Sequence, residues 1–452
     1  MPPVIKLKRG LDIPLQGAPP KIWVEIPPPD FIALKPTDFR GVIPKLFVKE
    51  GDRIATGGVV YSDKNRPDIL FTAPVGGTVC AIVRGEKRKI LEVQINCTHQ
   101  PPPRTFHVGA PGSLTREQIV ETLLQSGCWP ALKQRPYGII AHPADTPKAI
   151  FVSAFDTAPL APDLDSILTG QEADLQRGID VLRQLAPAGG IFWSIPHHTP
   201  PTSVLRKVQN VHTCIFNGKH PAGNVGVQIH HIAPISKGEV VWTIDPQWVV
   251  VIGRLFGTGL LDCRKAVALT GPSAAKPCYF WATPGTPLSA IPHIGACKPK
   301  VRYISGNCLT GDDVGYNGSL GFYHQQITLL PQGDHRELFG WVKVLRTKTF
   351  SVSRSYLSWF CPKKRYPLDT NTNGGERAFV LSDVYPKVLP MNIYPVYLLK
   401  AILAGEIEKM EALGIYEVVE EDFALCEFVC PSKINIQEII SNGIDLMIKE
   451  MS

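Results

Sequence analysis

Cysteine pairs at two-residue spacing are missing from this chain: its 11 cysteines run from Cys80 to Cys430 without one Cys-x-x-Cys. That excludes zinc ribbons and thioredoxin-type sites and reads as free thiols in a reducing, cytoplasmic setting. Neither His-Glu-x-x-His nor a facial-triad spacing occurs, so no metal site is expected. The nucleophile elbow Gly-x-Ser-x-Gly is also missing, and no catalytic residues are expected. A spanning helix needs roughly 20 nearly uninterrupted apolar residues. The most apolar stretch, Val240 to Leu261, is broken by Asp245, Pro246 and Arg254 and reads as two buried strands. The N-terminal Met-Pro-Pro-Val-Ile-Lys-Leu-Lys-Arg has no apolar segment behind its charges, so no signal peptide is expected.

At 452 residues the chain exceeds the size of one growing core, and several domains are expected. Apolar residues at 44% and charged residues at 19% are globular values, and the 42 prolines and 39 glycines favour short strands joined by turns over a helical bundle. Charge is unevenly spread. Residues 401–452 hold 11 acidic and 3 basic residues, so against a total of +7 they carry −8 and the first 400 residues carry +15. Such asymmetry suits docking to an acidic protein or an anionic membrane, and equally a solvated acidic tail. Lys and Arg are dispersed, without a nucleic-acid reader motif, so no nucleic acid is expected as a partner.

An α/β multi-domain chain follows from the hydrophobic pattern. Short strands at Val42–Val48, Val59–Tyr61, Ile69–Phe71, Thr78–Val83 and Ile90–Ile95, with glycine at the turns, make residues 1–103 a β domain closed by Pro101-Pro-Pro103. Thr115-Arg-Glu-Gln118 is a capping box ahead of a helix that stops at Gly127. A strand at Ala149–Phe155, a helical stripe from Leu175 to Leu185 ended by Pro187, a strand at Ile191–Ile195, a short helix at Val204–Val208 and a strand at Val211–Phe216 follow. The alternation makes residues 104–261 a Rossmann-like α/β domain. Residues 262–330 return to short strands, residues 331–390 connect, and residues 391–452 are helical: Val396–Ala404, Glu406–Leu413, and Ile436–Ile448 behind Asn435-x-x-Glu438.

Several motifs carry more than one reading. Val48-Lys-Glu-Gly-Asp-Arg-Ile54 and Ala73-Pro-Val-Gly-Gly-Thr-Val79 follow the grammar of biotinyl and lipoyl carriers, with Lys64 in the interval, but the flanks of a modified lysine are missing; a barrel-sandwich without a prosthetic arm is favoured. Gly253-Arg-Leu-Phe-Gly-Thr-Gly259 and Pro221-Ala-Gly-Asn-Val-Gly226 read as turns, with phosphate cradling the alternative. Adjacent histidines at His197-His198 and His230-His231, read on strands, point to opposite faces and offer one ligand each. Glu420-Glu421-Asp422 is the charge a helix start prefers. Cys426 and Cys430, four apart and followed by Pro431, are half of an iron–sulfur ligand set. Cys128-Trp-Pro-Ala-Leu-Lys-Gln-Arg-Pro-Tyr137 combines aromatics with cations and suits a planar dicarbonyl, a protein partner, or a surface loop with Trp129 in the core.

Six segments in one order then resemble a known family: Lys8-Arg-Gly-Leu-Asp-Ile-Pro14, Ile150-Phe-Val-Ser-Ala-Phe-Asp-Thr-Ala-Pro-Leu160, His220-Pro-Ala-Gly223, Ile304-Ser-Gly306, Pro331-Gln-Gly-Asp-His-Arg-Glu-Leu-Phe-Gly-Trp341 and Leu425-Cys-Glu-Phe-Val-Cys-Pro-Ser-Lys433. They are similar to the A-type subunits of bacterial Na⁺-translocating NADH:quinone reductases (Na⁺-NQR), from about residue 5 to residue 450. The resemblance implies a six-subunit membrane complex that passes electrons from NADH to ubiquinone and exports Na⁺. This member would be peripheral, on the cytoplasmic face of the bacterial inner membrane, docked on a quinone-proximal membrane subunit. It implies the layout of barrel-sandwich, Rossmann-like, small β-grasp and helical domains, related to a flavin-bearing NADH-oxidising subunit. The degenerate glycine loop and the two cysteines, vestiges of a cluster site, lead to the expectation that this subunit binds no redox cofactor; flavins and Fe–S centres belong to the other subunits. A stand-alone flavin or Fe–S NADH oxidoreductase and a pure docking scaffold are the alternatives. For quinone, which needs an apolar slot and a donor or cation near its carbonyls, the expected contacts are Phe31, Leu34, Trp129, Arg135 and Tyr137.

Overall fold

In a computed structural model, residues 4–186, 188–295, 299–334, 349–354, 356–380 and 382–451 are described. Pro187, expected to end a helix, and residues 335–341 of the fifth family-like segment lie outside them. The first strand, β1 (Val4–Lys6), does not join the N-terminal β unit: it pairs in parallel with a strand two hundred residues on and extends the α/β sheet. The β unit proper comprises β2 (Phe31–Leu34), β3 (Pro44–Leu46), β4 (Arg53–Ile54), β5 (Val59–Asp63), β6 (Leu70–Thr72), β7 (Gly77–Arg84) and β8 (Ile90–Asn96). They make a four-stranded sheet, β2-β8-β7-β4, and a three-stranded sheet, β3-β5-β6, all antiparallel. Ile32, Val60, Tyr61, Ile69, Phe71, Val79, Val93 and Ile95 are buried in it. Gly51, at φ 92°, supplies the turn that a side chain would strain. Lys64 is exposed in the turn after β5, where the buried Asp63 carboxylate accepts from Asn65 N–H and Arg66 Nε.

The α/β unit opens with α1 (Arg116–Ser126), whose capping box is formed as expected: Thr115 Oγ1 accepts from Gln118 N–H and Gln118 Oε1 from Thr115 N–H. Then follow β9 (Lys133–Arg135), β10 (Ile139–Ile140), β11 (Ile150–Ser153), α2 (Leu164–Leu168), α3 (Glu172–Arg183), β12 (Ile191–Pro196), β13 (His212–Asn217), α4 (Val225–Ile232), β14 (Val241–Thr243) and α5 (Pro246–Thr258). The sheet order is β1-β13-β12-β11-β14-β9-β10, parallel from β1 to β14 and antiparallel beyond.

Three expectations are corrected here. The second of the two strands expected between Val240 and Leu261 is the helix α5. Asp245 caps it, accepting from Gln247 N–H, and Pro246 occupies its first turn. Its sequence lacks a polar face because the helix is enclosed: Trp248 to Ile252, Leu255 and Phe256 are all buried. Gly253 and Gly257 therefore lie inside a helix, not in a turn. Gly253 lets α5 approach α3, since a Cβ there would fall 1.8 Å from Asp174 O. His230 and His231 likewise sit on α4, not on a strand.

The third unit contains β15 (Lys265–Thr270), β16 (Cys278–Ala282), β17 (Val301–Ser305), β18 (Asp312–Asp313) and β19 (Gln326–Pro331), ordered β16-β15-β19-β17-β18. Only β15 and β19 in it pair in parallel. The chain ends in α6 (Tyr385–Val388), α7 (Pro395–Ala404), α8 (Ile407–Ala412), α9 (Ala424–Val429) and α10 (Ile436–Met451), packed round Leu398, Leu399, Ile440, Ile444 and Met447. Among the described residues no helix is long and apolar enough to cross a membrane.

Candidate functional site

The four units meet around a cleft of about 1230 Å³. Its walls include Asp38 to Pro44 from the N-terminal unit and Lys133, Arg135 and Asp156 from the α/β unit. Tyr323 to Gln326 come from the third unit, and Val419 to Glu421 with Asp445 from the helical unit. Strand alternation places Lys133 and Arg135 on one face of β9 and turns Gln134 away, where its Oε1 accepts from His142 N–H. The two cations have different fates. Arg135, 3% exposed, donates through Nη1 to Asp422 (2.7 Å) and through Nη2 to Glu421 (2.5 Å). Burial works against its charge, but the two carboxylates outweigh that and raise its pKa. Gly226, in the first turn of α4, makes room for this pair: a Cβ there would meet both Asp422 oxygens and Arg135 Nη1 within 2.6 Å. Arg40 closes the mouth nearby, pairing with Asp445 and Glu420 and donating to Ser441 Oγ.

Lys133 makes no hydrogen bond or ion pair with a described residue; its ammonium lies 3.7 Å from the centre of the Tyr323 ring. Burial lowers its pKa. The carboxylates within electrostatic reach are held elsewhere, Glu421 by Arg135 and Asp245 by Gln247 N–H and Gln325 Nε2. A half-buried ammonium that faces the cleft without a protein acceptor is free to donate to a molecule bound there. Lys265, in contrast, is satisfied: it donates to Phe322 O at 2.7 Å beside Trp248, and burial takes its pKa to about 8.

Beside the cleft lies an apolar slot of about 50 Å³, walled by Leu34, Phe39, Tyr61, Phe71, Trp248 and Phe322. Asp38, Phe39 and Phe322 line both spaces. Phe39 stacks edge-on against Phe322 at 4.9 Å, and Asp38 accepts from Phe322 N–H, which ties the N-terminal unit to the third.

Two histidines on the cleft are held neutral. Thr157 Oγ1 accepts from Gly223 N–H and shares a hydrogen bond with His220 Nδ1 at 3.1 Å. Ser305 Oγ accepts from Gly321 N–H and shares a hydrogen bond with His324 Nδ1 at 2.9 Å. Burial takes His220 to about 4 and His324 to about 3. Both folded values lie below the unfolded value near 6.5, so below that pH the unfolded chain binds more protons. Each histidine should then remove about 1.4 kcal/mol of stability per pH unit as pH falls from 6.5 towards 4. Urea midpoints between pH 7.5 and 4.5 check this; His220→Gln and His324→Gln should each flatten the profile, and an unchanged slope would refute the assignment.

Family models match three stretches: the NqrA N-terminal barrel-sandwich hybrid domain over residues 5–98, the NqrA second alpha/beta domain over 114–261, and the NQRA C-terminal domain over 266–315. The A-type subunit of the Na(+)-translocating NADH-quinone reductase of Yersinia pestis bv. Antiqua (strain Angola) is 37% identical over 434 residues, 95% of this chain and 96% of that one. Its counterpart of the same name from Neisseria meningitidis serogroup A / serotype 4A (strain DSM 15465 / Z2491) is 36% identical over 451 residues, 99% of this chain and all of that one. The chain belongs to this NqrA family. Among solved structures, a chain of an NAD⁺-reducing [NiFe]-hydrogenase in the air-oxidized state is 12% identical with a TM-score of 0.37, covering 76% of this chain and 62% of that one.

Within this NqrA-family chain the five residues expected at quinone are not brought together. Leu34 lines the slot and Arg135 the cleft. Phe31 is half-buried at the far end of β2, opposite Asn96. Trp129 is wholly enclosed, its Nε1 donating to Ala141 O and its ring edge-on to Trp242. Tyr137 faces the helical unit, edge-on to Tyr416. Lys133, Tyr323 and Phe39 were not singled out from the sequence. For Lys133 a signal was present, because Lys133-Gln-Arg135 on a strand must show both cations to one side.

Other motifs also resolve. Glu420-Glu421-Asp422 does more than start a helix: each carboxylate pairs with an arginine of another unit. The Pro221–Gly226 turn is filled, with Gly223 N–H given to Thr157 and Gly226 facing the Asp422 carboxylate. Cys426 and Cys430 are fully buried in the helical core, Cys430 Sγ lying 3.0 Å from Tyr385 Oη. Burial, with the neighbouring Cys430, pushes the Cys426 thiol well up. Among the described residues no three His, Cys, Asp or Glu side chains are grouped to hold a metal ion.

Proposed function

We propose that this chain is the peripheral, cytoplasmic-face member of a bacterial inner-membrane complex that reduces ubiquinone with NADH and exports Na⁺, and that it borders the quinone without carrying a redox cofactor. The near full-length 37% identity to NqrA proteins of Na(+)-translocating NADH-quinone reductases carries this reading. The other subunits would hold the flavins and Fe–S centres, and this chain would dock above all on a quinone-proximal membrane subunit. The parallel order β13-β12-β11-β14 supports a Rossmann-like label for the second unit, and the mixed five-stranded sheet a β-grasp label for the third.

For quinone, the supporting features are the apolar slot at Leu34 and the unclaimed Lys133 ammonium across the shared wall of Asp38, Phe39 and Phe322. The tail would take the slot and the head would turn a carbonyl toward Lys133, whose charge favours the oxygen as electron density builds on it. Electrons would reach the head from a partner's cofactor. The purified full chain should be colourless in the visible range, with an intact mass equal to its sequence. A flavin or Fe–S spectrum would favour the stand-alone oxidoreductase, and an added mass at Lys64 a carrier. In the complex, loss of this chain should abolish quinone reduction while NADH oxidation with an artificial acceptor persists. Unchanged quinone reduction would contradict the proposal.

A further inference from the structure

The hairpin of β7 and β8, the two longest strands of the N-terminal unit, ends in Arg84-Gly-Glu-Lys-Arg-Lys89. Glu86 O accepts from Lys89 N–H at 3.0 Å, and Lys87 and Arg88 between them lie at φ 52° and 61°, as a type I′ turn requires. Such a turn favours Asn-Gly, because a side chain with a Cβ is strained at positive φ. Here both central positions hold long, exposed cations instead. Neither side chain makes a hydrogen bond or ion pair with a described residue, and that of Lys89 makes none either. Four cations at the tip stand against one carboxylate, Glu86; the next along the hairpin, Glu92, accepts from Gln94 Nε2. A strained turn whose side chains meet nothing inside the fold directs its charges to a partner outside it.

The neighbourhood of the tip is partly apolar. Strand β3 is the edge of its sheet, and Ile43, Lys45 and Phe47, alternating along it, share one exposed face. Ile43 is 50% and Phe47 56% exposed, and Lys45 Nζ lies over the Phe47 ring at 6.0 Å. Ile43 and Pro44 border the cleft together with Lys89 and Ile90. Flexible cations grouped with exposed apolar and aromatic side chains suit the headgroup region of an anionic bilayer, where charge and apolar depth count and shape does not. Residues 401–452, in the helical unit, carry −8 and would be held off the same surface, so the attraction also orients the chain. We infer that the β7–β8 tip, with the Ile43–Phe47 edge, contacts anionic phospholipid and turns the cleft toward the membrane, the phase in which an isoprenoid quinone dissolves. The orientation rests on the quinone reading proposed above; the lipid contact does not.

Co-sedimentation of the purified full chain with vesicles tests the contact. The chain should bind vesicles of phosphatidylglycerol mixed with phosphatidylcholine, lose them as salt is raised, and ignore phosphatidylcholine alone. Lys87→Asn with Arg88→Gly should weaken binding about tenfold or more, yet unfold no earlier than wild type, because Asn-Gly relieves the turn. Arg84→Gln with Lys89→Gln, which leaves the turn as it is, should show a loss of the same order. Lys207→Asn with Lys276→Asn removes the same charge from exposed sites on the other units and should bind as wild type. Equal loss in this control pair would assign the attraction to net charge and overturn the hairpin contact, as would wild-type binding by both hairpin variants. A wild-type chain that ignores anionic vesicles overturns the lipid contact and leaves the quinone reading standing, since quinone binding by the free chain is measured separately.

Discussion

Arg135→Ala should lower the unfolding free energy of the chain by about 3–5 kcal/mol, the cost of stranding one partner of a buried ion pair. Asp422 is the partner that suffers: its side chain is 0% exposed, Oδ2 keeps only the Val419 N–H, and Oδ1 has no other partner. Glu421, at 41% exposed, can turn to water and should add little. The loss should be pH-dependent with a definite sign. Without Arg135 the folded Asp422 carboxyl moves further above its unfolded value near 3.9, so the deficit is full at neutral pH and shrinks as pH falls toward 4 and the folded carboxyl takes up its proton. Urea unfolding at pH 7 and pH 5 measures both effects. Adding Asp422→Asn to Arg135→Ala should recover part of the loss at pH 7. A loss below about 1 kcal/mol would put the pair among surface bridges and undo the view that it fastens the helical unit to the α/β unit.

A second large effect is expected from one methyl group. In Gly253→Ala the new Cβ would lie 1.8 Å from Asp174 O and 3.0 Å from Gly178 N. These are backbone atoms of the facing helix α3, so relief requires α3 and α5 to separate. The cost should reach or exceed the top of the usual overpacking range of about 1–3 kcal/mol. Gly257→Ala, one turn on, is the control. There the three atoms nearest the Cβ all belong to the Arg177 guanidinium, the end of a flexible side chain, and alanine adds up to about 1 kcal/mol of helix propensity. Equal destabilisation by the two substitutions, read by thermal or urea unfolding, would contradict the close helix contact.

What the sequence revealed and concealed follows from the range of the forces involved. Strands β3 and β5 to β8 and the capped start of α1 depend on neighbours a few positions away, and were legible; the two-residue β4 (Arg53–Ile54) was too short to show a pattern. So was the periodic stripe of α10. The helix α5 was not, because a fully enclosed helix has no polar face to show its period, and β-branched Val249, Val250 and Val251 imitate a strand. Its Asp245-Pro246 start was the overlooked signal. The site was less legible still. Glu421 and Asp422 meet Arg135 across 286 and 287 residues, and no local pattern encodes such a pairing. Arg135 carried the right chemistry but is already claimed, whereas Lys133, two residues before it, is a cation left facing the cleft.

The central claim is that this chain itself contacts quinone at the Leu34 slot and Lys133. Equilibrium binding of a short-chain, water-soluble ubiquinone analogue to the purified full chain tests it most directly. Binding should be saturable. It should weaken about tenfold or more in Lys133→Met, as expected when a charged hydrogen bond of about 1.5–3 kcal/mol is removed, and comparably in Leu34→Trp, which fills the slot. Both variants should unfold cooperatively. Absence of saturable binding, or binding that neither substitution changes, would contradict the claim and leave the chain a docking scaffold.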